Sequence, residues 1–289
     1  MKEEIQPAAM EIDTQRFVLA HSITAVAEPE RGRVVVCGSH GGSYSAAYAL
    51  SLGVPSVVFN DAGGGLDGAG IAGLDLLQAH GVPAFAVSHR SARIGDARDT
   101  WERGQVSACN AAASRLGIQR GMPTTEAVMC LPQGRRTPLS TPQLAEARRE
   151  AHTATGIRVV VLDSNSLVGE RETGTIVVTG SHGGLLGGDP ATAIKAMAFA
   201  AFYNDAGVGI DLAGVSRLPA LDARAIAGVA VAADSARIGD GLSTWHTGVV
   251  SVVNRRAQAL GVTVGMRVQD AAEALAAALI QSKRTGKHA

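Results

Sequence analysis

The sequence predicts an α/β fold: a ββαβαβα unit, tandemly duplicated, giving two pseudo-symmetric layered domains with mainly parallel sheets. Three repeated segments carry that prediction. Gly38-Ser39-His40-Gly41-Gly42 returns at Gly180 to Gly184, and Asn60-Asp61-Ala62-Gly63 returns as Asn204-Asp205-Ala206-Gly207. Ser91-Ala92-Arg93-Ile94-Gly95-Asp96 returns at Ser235 to Asp240. The order is kept, and the offset is 142 positions for the first segment and 144 for the other two. Such self-similarity is the signature of a repeated unit. The intervening helices have diverged while these segments are identical, so they answer to a demand other than general packing.

Each element follows from local pattern. Phe17 to Ile23 reads as a strand, a turn passes through Glu28 to Gly32, and Arg33-Val34-Val35-Val36-Cys37 is a continuous apolar run, as in a strand buried on both faces. A helix over about Ser43–Leu52, a strand over Ser56–Asn60, a helix over about Gly68–His80, a strand over Ala84–Ser88 and a long helix over about Ala97–Leu116 complete the first unit. The second repeats it with strands at Val159–Leu167, Thr175–Thr179, Ala200–Asn204 and Val229–Ala233. Its helices are expected from Pro190, with Asp189 as cap, from near Leu212, and up to Leu260. Residues 1–122 form the first unit (core 16–122), 123–157 a linker with a polar helix over Gln143–His152, and 158–289 the second (core 158–266) with an Ala-rich helix over Gln269–Gln281. Alternating strands and helices imply right-handed crossovers.

Bulk properties narrow the function. A chain of 289 residues with 46% hydrophobic content buries a sizeable core, and its net charge is zero. The only basic run, Lys283 to Lys287, reads as a solvated tail, so no nucleic-acid partner is expected. Apolar runs such as Ala196–Tyr203 are too short to span a membrane. Met1-Lys2-Glu3-Glu4-Ile5 carries acid where a signal peptide carries base, and Cys37, Cys109 and Cys130 form no CxxC pair, so a cytoplasmic location is expected. A homo-oligomer is compatible with the sequence.

All three repeated segments lie where a strand gives way to a helix, the edge at which open parallel sheets bind ligands. The glycine segments, with Gly41, Gly42, Gly183 and Gly184, resemble an anion or oxyanion cradle holding Ser39 and His40, or Ser181 and His182. Asp61 and Asp205 are placed to orient those histidines or act as bases, beside Asn60 and Asn204; the structural alternative is an Asx turn. Arg93 and Arg237, with Ser91 and Ser235, are the anion-binding candidates, while Asp96 reads as a helix cap and Asp67 and Asp211 as helix N-caps. Thr100, Gly104 and Ser107, with Asn110 at the edge, form a small-residue stripe suited to packing.

Familiar signatures are incomplete. Gly63-Gly64-Gly65-Leu66-Asp67-Gly68 matches GxGxxG, but Leu212 replaces the third glycine in the second copy and Asp234 occurs only there. Neither a Walker sequence nor HExxH is present. No cofactor is required, although His40, Asp61 and Asp96 offer ligands for a divalent metal. The expected function is a hydrolase of an amide or related C–N bond in a small polar or anionic substrate, with His40, His182, Asp61 and Asp205 moving protons and Ser39 or Ser181 as nucleophile. A racemase, isomerase or lyase, and a non-catalytic small-ligand module, are the alternatives.

Overall fold

The computed structural model describes residues 13–142 and 145–285. Met1 to Ile5, the first two residues of the predicted polar helix (Gln143 and Leu144) and the end of the basic tail lie outside the described residues. The chain is an α/β protein with two mainly parallel sheets. In the first, β1 (Phe17–Ala20), β2 (Val34–His40), β3 (Val57–Asn60) and β4 (Ala84–Val87) are parallel neighbours in that order, and β5 (Val106–Cys109) joins β4 antiparallel. Alternate residues face opposite layers. Val35, Cys37, Val57 and Phe59 pack with α1 (Ser43–Leu52) and α2 (Gly73–Ala79), while Val34, Val36, Val58 and Phe85 pack with Trp101 of α3 (Ala97–Arg103) and Ala127 of α5 (Thr124–Ala127). A one-turn helix, α4 (Ala111–Ser114), follows β5.

The second sheet runs β6 (Arg148–His152), β7 (Arg158–Leu162), β8 (Ile176–His182), β9 (Ala200–Asn204), β10 (Ala227–Val231) and β11 (Val250–Val253), parallel except at its two edges. One face is covered by α6 (Arg217–Ala223) and the loop through Leu185–Ala198. The other packs on Trp245 of α7 (Gly241–Thr247), on Ala257 of α8 (Arg255–Ala259) and on Ala271, Ala272, Leu275 and Ala276 of α9 (Val268–Thr285). The Ala-rich helix is thus a layer of the core.

Four expectations need correction. The long helix over Ala97–Leu116 divides into α3, β5 and α4, and its equivalent divides in the same way into α7, β11 and α8. Gly104 and Gly248 turn the chain out of the helix, and the Gln105 and Val249 N–H groups then donate to the Ser91 and Ser235 hydroxyls. The small-residue stripe is therefore split between a helix and a strand, and Asn110 caps α4 while bonding the Ala84 N–H and Val82 carbonyl. The polar stretch ending at His152 is an edge strand, paired with β7 from Arg148 opposite Leu162 to His152 opposite Arg158. Its charges sit in ion pairs to Glu172 and Arg158. Ala127, Val128 and Leu131 also pack against the first sheet.

The helix expected from Pro190 is a single 3-10 turn, Pro190–Thr192, capped by Asp189. Gly187 and Gly188, both at positive φ, precede it. Two arginines then take the carbonyls a helix would use: Arg217 bonds those of Thr192 and Ala193, and Arg224 those of Ile194 and Ala196. The segment is wired as a loop. Among the described residues no helix is long and apolar enough to cross a membrane.

Candidate functional site

The repeated segments come together where the halves meet. Ala62, Ile94, Ala206, Ala213 and Ile238 form one buried apolar cluster drawn from both sides. Gly63, at φ +74°, lies so close to Gly207 that a Cβ on it would stand 2.9 Å from the Gly207 Cα. Ala62 and Ala206 beside them are also left-handed, at φ +50° and +49°. Leu66 N–H donates to the Ala233 carbonyl, and reciprocally Ile210 N–H donates to that of His89, both at 2.8 Å. Arg93 pairs with Asp211 at 2.7 Å, and Arg237 pairs with Asp67. Both arginines expected to hold a substrate anion are thus in ion pairs across the joint.

Asp61 does not reach His40. Its Oδ1 accepts from Gly63 N–H and His89 N–H and lies 2.8 Å from His89 Nδ1. Burial opposes its ionisation, but the bonds from the His89 ring, the His89 N–H and the Gly63 N–H outweigh that, so its carboxyl lies below its ordinary range. Asp205 accepts from Gly207 N–H and Ala233 N–H, so both aspartates serve the Asx-turn alternative. Asn60 and Asn204 are wholly buried braces: each amide donates to a carbonyl of the following loop, Ala92 or Ala236, and accepts from Ala62 or Ala206. The Ser91 and Ser235 hydroxyls donate to the Ser88 and Ala232 carbonyls. Asp96 caps α3, as expected. Asp67 and Asp211 instead sit at positive φ within 3-10 turns.

The glycine segments are not an open cradle. Gly41 and Gly183 N–H donate to the Asn60 and Asn204 carbonyls. Gly42 and Gly184 N–H donate to Nδ1 of His40 and His182, at 3.1 and 3.2 Å. That last contact decides the state of the rings. A ring nitrogen that accepts carries no proton, so the neutral imidazole has its hydrogen on Nε2. Burial pushes His40 down to about 4. His182 is held well below its ordinary value by burial first, then by the charge of Arg217 and by His40. At neutral pH both rings are uncharged donors through Nε2–H, for which no described residue supplies an acceptor.

His40, His182, Ser39 and Ser181 line one cavity of about 490 Å³ between the halves. The serine hydroxyls accept from Ile23 N–H at 3.1 Å and Asn165 N–H at 2.8 Å, and the Ser39 side chain also hydrogen-bonds the buried Cys37 thiol. The cavity also holds groups that sequence reasoning missed: Tyr44, Glu146, Lys195 and Arg217. Glu146 accepts from the Ser166 hydroxyl at 3.3 Å. Burial, and to a smaller degree the charge of Asp163, raises its carboxyl above the ordinary range; hydrogen bonds with Ser164, Ser166 and Tyr44 offset this only in part. Burial and the Glu146 charge push the Tyr44 phenol up to about 12, so it remains a donor. Among the described residues no group of three or more His, Cys, Asp or Glu side chains could hold a metal ion.

No family model, curated protein or solved structure matches this chain.

Proposed function

We propose that the cavity between the halves is the active site of a hydrolase acting on an amide or related C–N bond of a small polar molecule, with Glu146 as its proton carrier. The observation that carries this reading is the company Glu146 keeps: a carboxyl raised by burial shares one cavity with two neutral imidazoles whose unpaired nitrogens are donors. A raised carboxyl is suited to taking and returning a proton near neutral pH. In the step inferred here, Glu146 removes a proton from water as its oxygen bonds to the amide carbon. Nε2–H of His40 or His182 donates to the carbonyl oxygen as negative charge develops there. The C–N bond then breaks, and Glu146 returns the proton to the departing nitrogen. Water is preferred to Ser39 or Ser181 as nucleophile because each hydroxyl is bonded to a backbone N–H and has no base as partner. On this reading the second and third repeated segments are the joint of a duplicated architecture, and the first supplies the histidine donors to the chemistry beside that joint.

A panel of small amides, cyclic imides and ureas, assayed with the full chain for release of ammonia or amine, tests the reading. Glu146→Gln is expected to lower kcat by about 10²- to 10⁴-fold, and Ser39→Ala and Ser181→Ala to retain turnover. The wild-type rate should fall as pH drops through the raised Glu146 value. Full turnover by Glu146→Gln overturns the role of that residue. Solvent deuterium at a substrate carbon with the C–N bond intact replaces hydrolysis by isomerisation, and a tight ligand recovered unchanged makes the protein a binding module.

A further inference from the structure

We propose that the cavity takes the anionic group of its ligand, a carboxylate or a phosphate, on Arg217, at one place per chain. This deepens the hydrolase reading by naming the substrate class, and it rests on the cavity being the ligand site. Arg217 lines the cavity and is only 3% exposed. Its protein partners are all neutral: Nε donates to the His182 carbonyl at 3.3 Å, Nη1 to the carbonyls of Thr192 and Ala193, and the guanidinium lies 5.1 Å from the centre of the Tyr203 ring. Nη2 donates to no described residue, and it is not among the sealed, unpartnered atoms of the structure. It therefore opens on the cavity.

The contrast with the ion-paired arginines is direct. Arg93, Arg103, Arg148, Arg237 and Arg255 each face an aspartate or glutamate, whereas among the described residues no carboxylate pairs with Arg217. A buried charge without a counter-ion is costly, and a ligand anion on the free fork removes that cost. Lys195, exposed on the same wall, adds a second positive charge. Of the two acids on the wall, Asp163 is already bonded by Ala147 N–H, Gly241 N–H and Arg149, and Glu146 is the raised carboxyl. Neither neutralises Arg217.

The site is single because the first half has no equivalent. Gly73 N–H donates to the Gly41 carbonyl as Arg217 N–H donates to that of Gly183, both at 2.9 Å, so the two residues occupy matching places. A Cβ on Gly73 would stand 2.5 Å from the Gly42 oxygen and 2.6 Å from the Ala46 Cβ, which leaves no room for a side chain.

Calorimetric titration of the full chain at low ionic strength with acetate, malonate, inorganic phosphate and neutral malonamide tests the proposal. Saturable binding of an anion at one site per chain is expected, at least tenfold tighter than malonamide. Arg217→Lys should weaken it tenfold or more and Lys195→Gln several-fold. Because Arg217 also braces the loop at Thr192, its variant counts only if its melting temperature is retained; Lys195 is exposed and gives an independent reading. Carboxylate binding without phosphate binding identifies a carboxylate substrate, and the reverse a phosphate ester. Two sites per chain, or anion binding unchanged in Lys195→Gln and a folded Arg217→Lys, overturns the assignment. Binding of malonamide with no binding of any anion also overturns it while leaving the hydrolase reading intact, since that reading is tested by turnover of the amide, imide and urea panel.

Discussion

The joint between the halves and the cavity beside it share a boundary but are built differently. At the joint the principal contacts have mirrors: Gly63 against Gly207, Leu66 to Ala233 as Ile210 to His89, Arg93 to Asp211 as Arg237 to Asp67. On the cavity wall Ser39 and His40 still match Ser181 and His182, but other matching places differ. Ile23 stands where the second half has Asn165, Tyr44 where it has Leu186, and Gly73 where it has Arg217. The difference separates two demands. Two backbones in close contact tolerate only the smallest residues on both sides at once, as at Gly63 and Gly207. A site for one small asymmetric molecule gains nothing from matching walls.

The most disruptive way to break the joint is to put a side chain into it. Gly63→Val introduces a Cβ against Gly207 at a left-handed φ, and a loss of about 3–5 kcal/mol is expected from overpacking and backbone strain together. Denaturant unfolding reads it. Gly64→Ala, at a similar φ but with nothing within 4 Å, separates strain from contact and should cost less.

The histidines set a pH dependence. A ring whose folded value is depressed takes up its proton more readily in the unfolded chain, so stability falls as pH drops from about 6.5 toward the folded value. For His40, held at about 4, the loss over that window is about 1–3 kcal/mol, and His182 contributes in the same direction. Urea midpoints across that range should show the slope, reduced in His40→Gln.

Asp61 acts in a lower window. Its depressed carboxyl contributes stability that is present above the unfolded value, near 3.9, and is lost as pH falls through the folded one. Asp61→Ala strands the Gly63 and His89 N–H groups and should cost about 1–2 kcal/mol at neutral pH. The smallest effect is expected for Arg93→Gln and Arg237→Gln. Their ion pairs are about half-exposed, and 1 M salt should erase what difference in melting temperature they make.

Strands β2 and β7 were legible because Val34–Val36 and Val159–Val161 are continuous apolar runs. Helix α1 was legible to its last residue, since Gly53 ends it in the left-handed region. The strand β5 was not, because residues 97–116 lack a local break other than Gly104, and what makes β5 is its distant pairing with β4. The edge strand β6 was read as helix for the same reason: its register comes from β7. At the site, His40 and Ser39 were visible through repetition. Arg217 and Glu146 were not, because what sets them apart is burial among carbonyls and hydroxyls far away in sequence.

Ligand-induced thermal stabilisation, measured in parallel on cavity and joint variants, tests the division of labour most directly. With malonate or inorganic phosphate as probe, the wild-type melting temperature should rise with concentration, as it must for a ligand bound to the native state. Arg93→Gln and Arg237→Gln should keep that rise, and Lys195→Gln should blunt it. The opposite pattern, a rise lost in the Arg93 and Arg237 variants and retained in Lys195→Gln, would place the anion on the repeated segments and contradict the account.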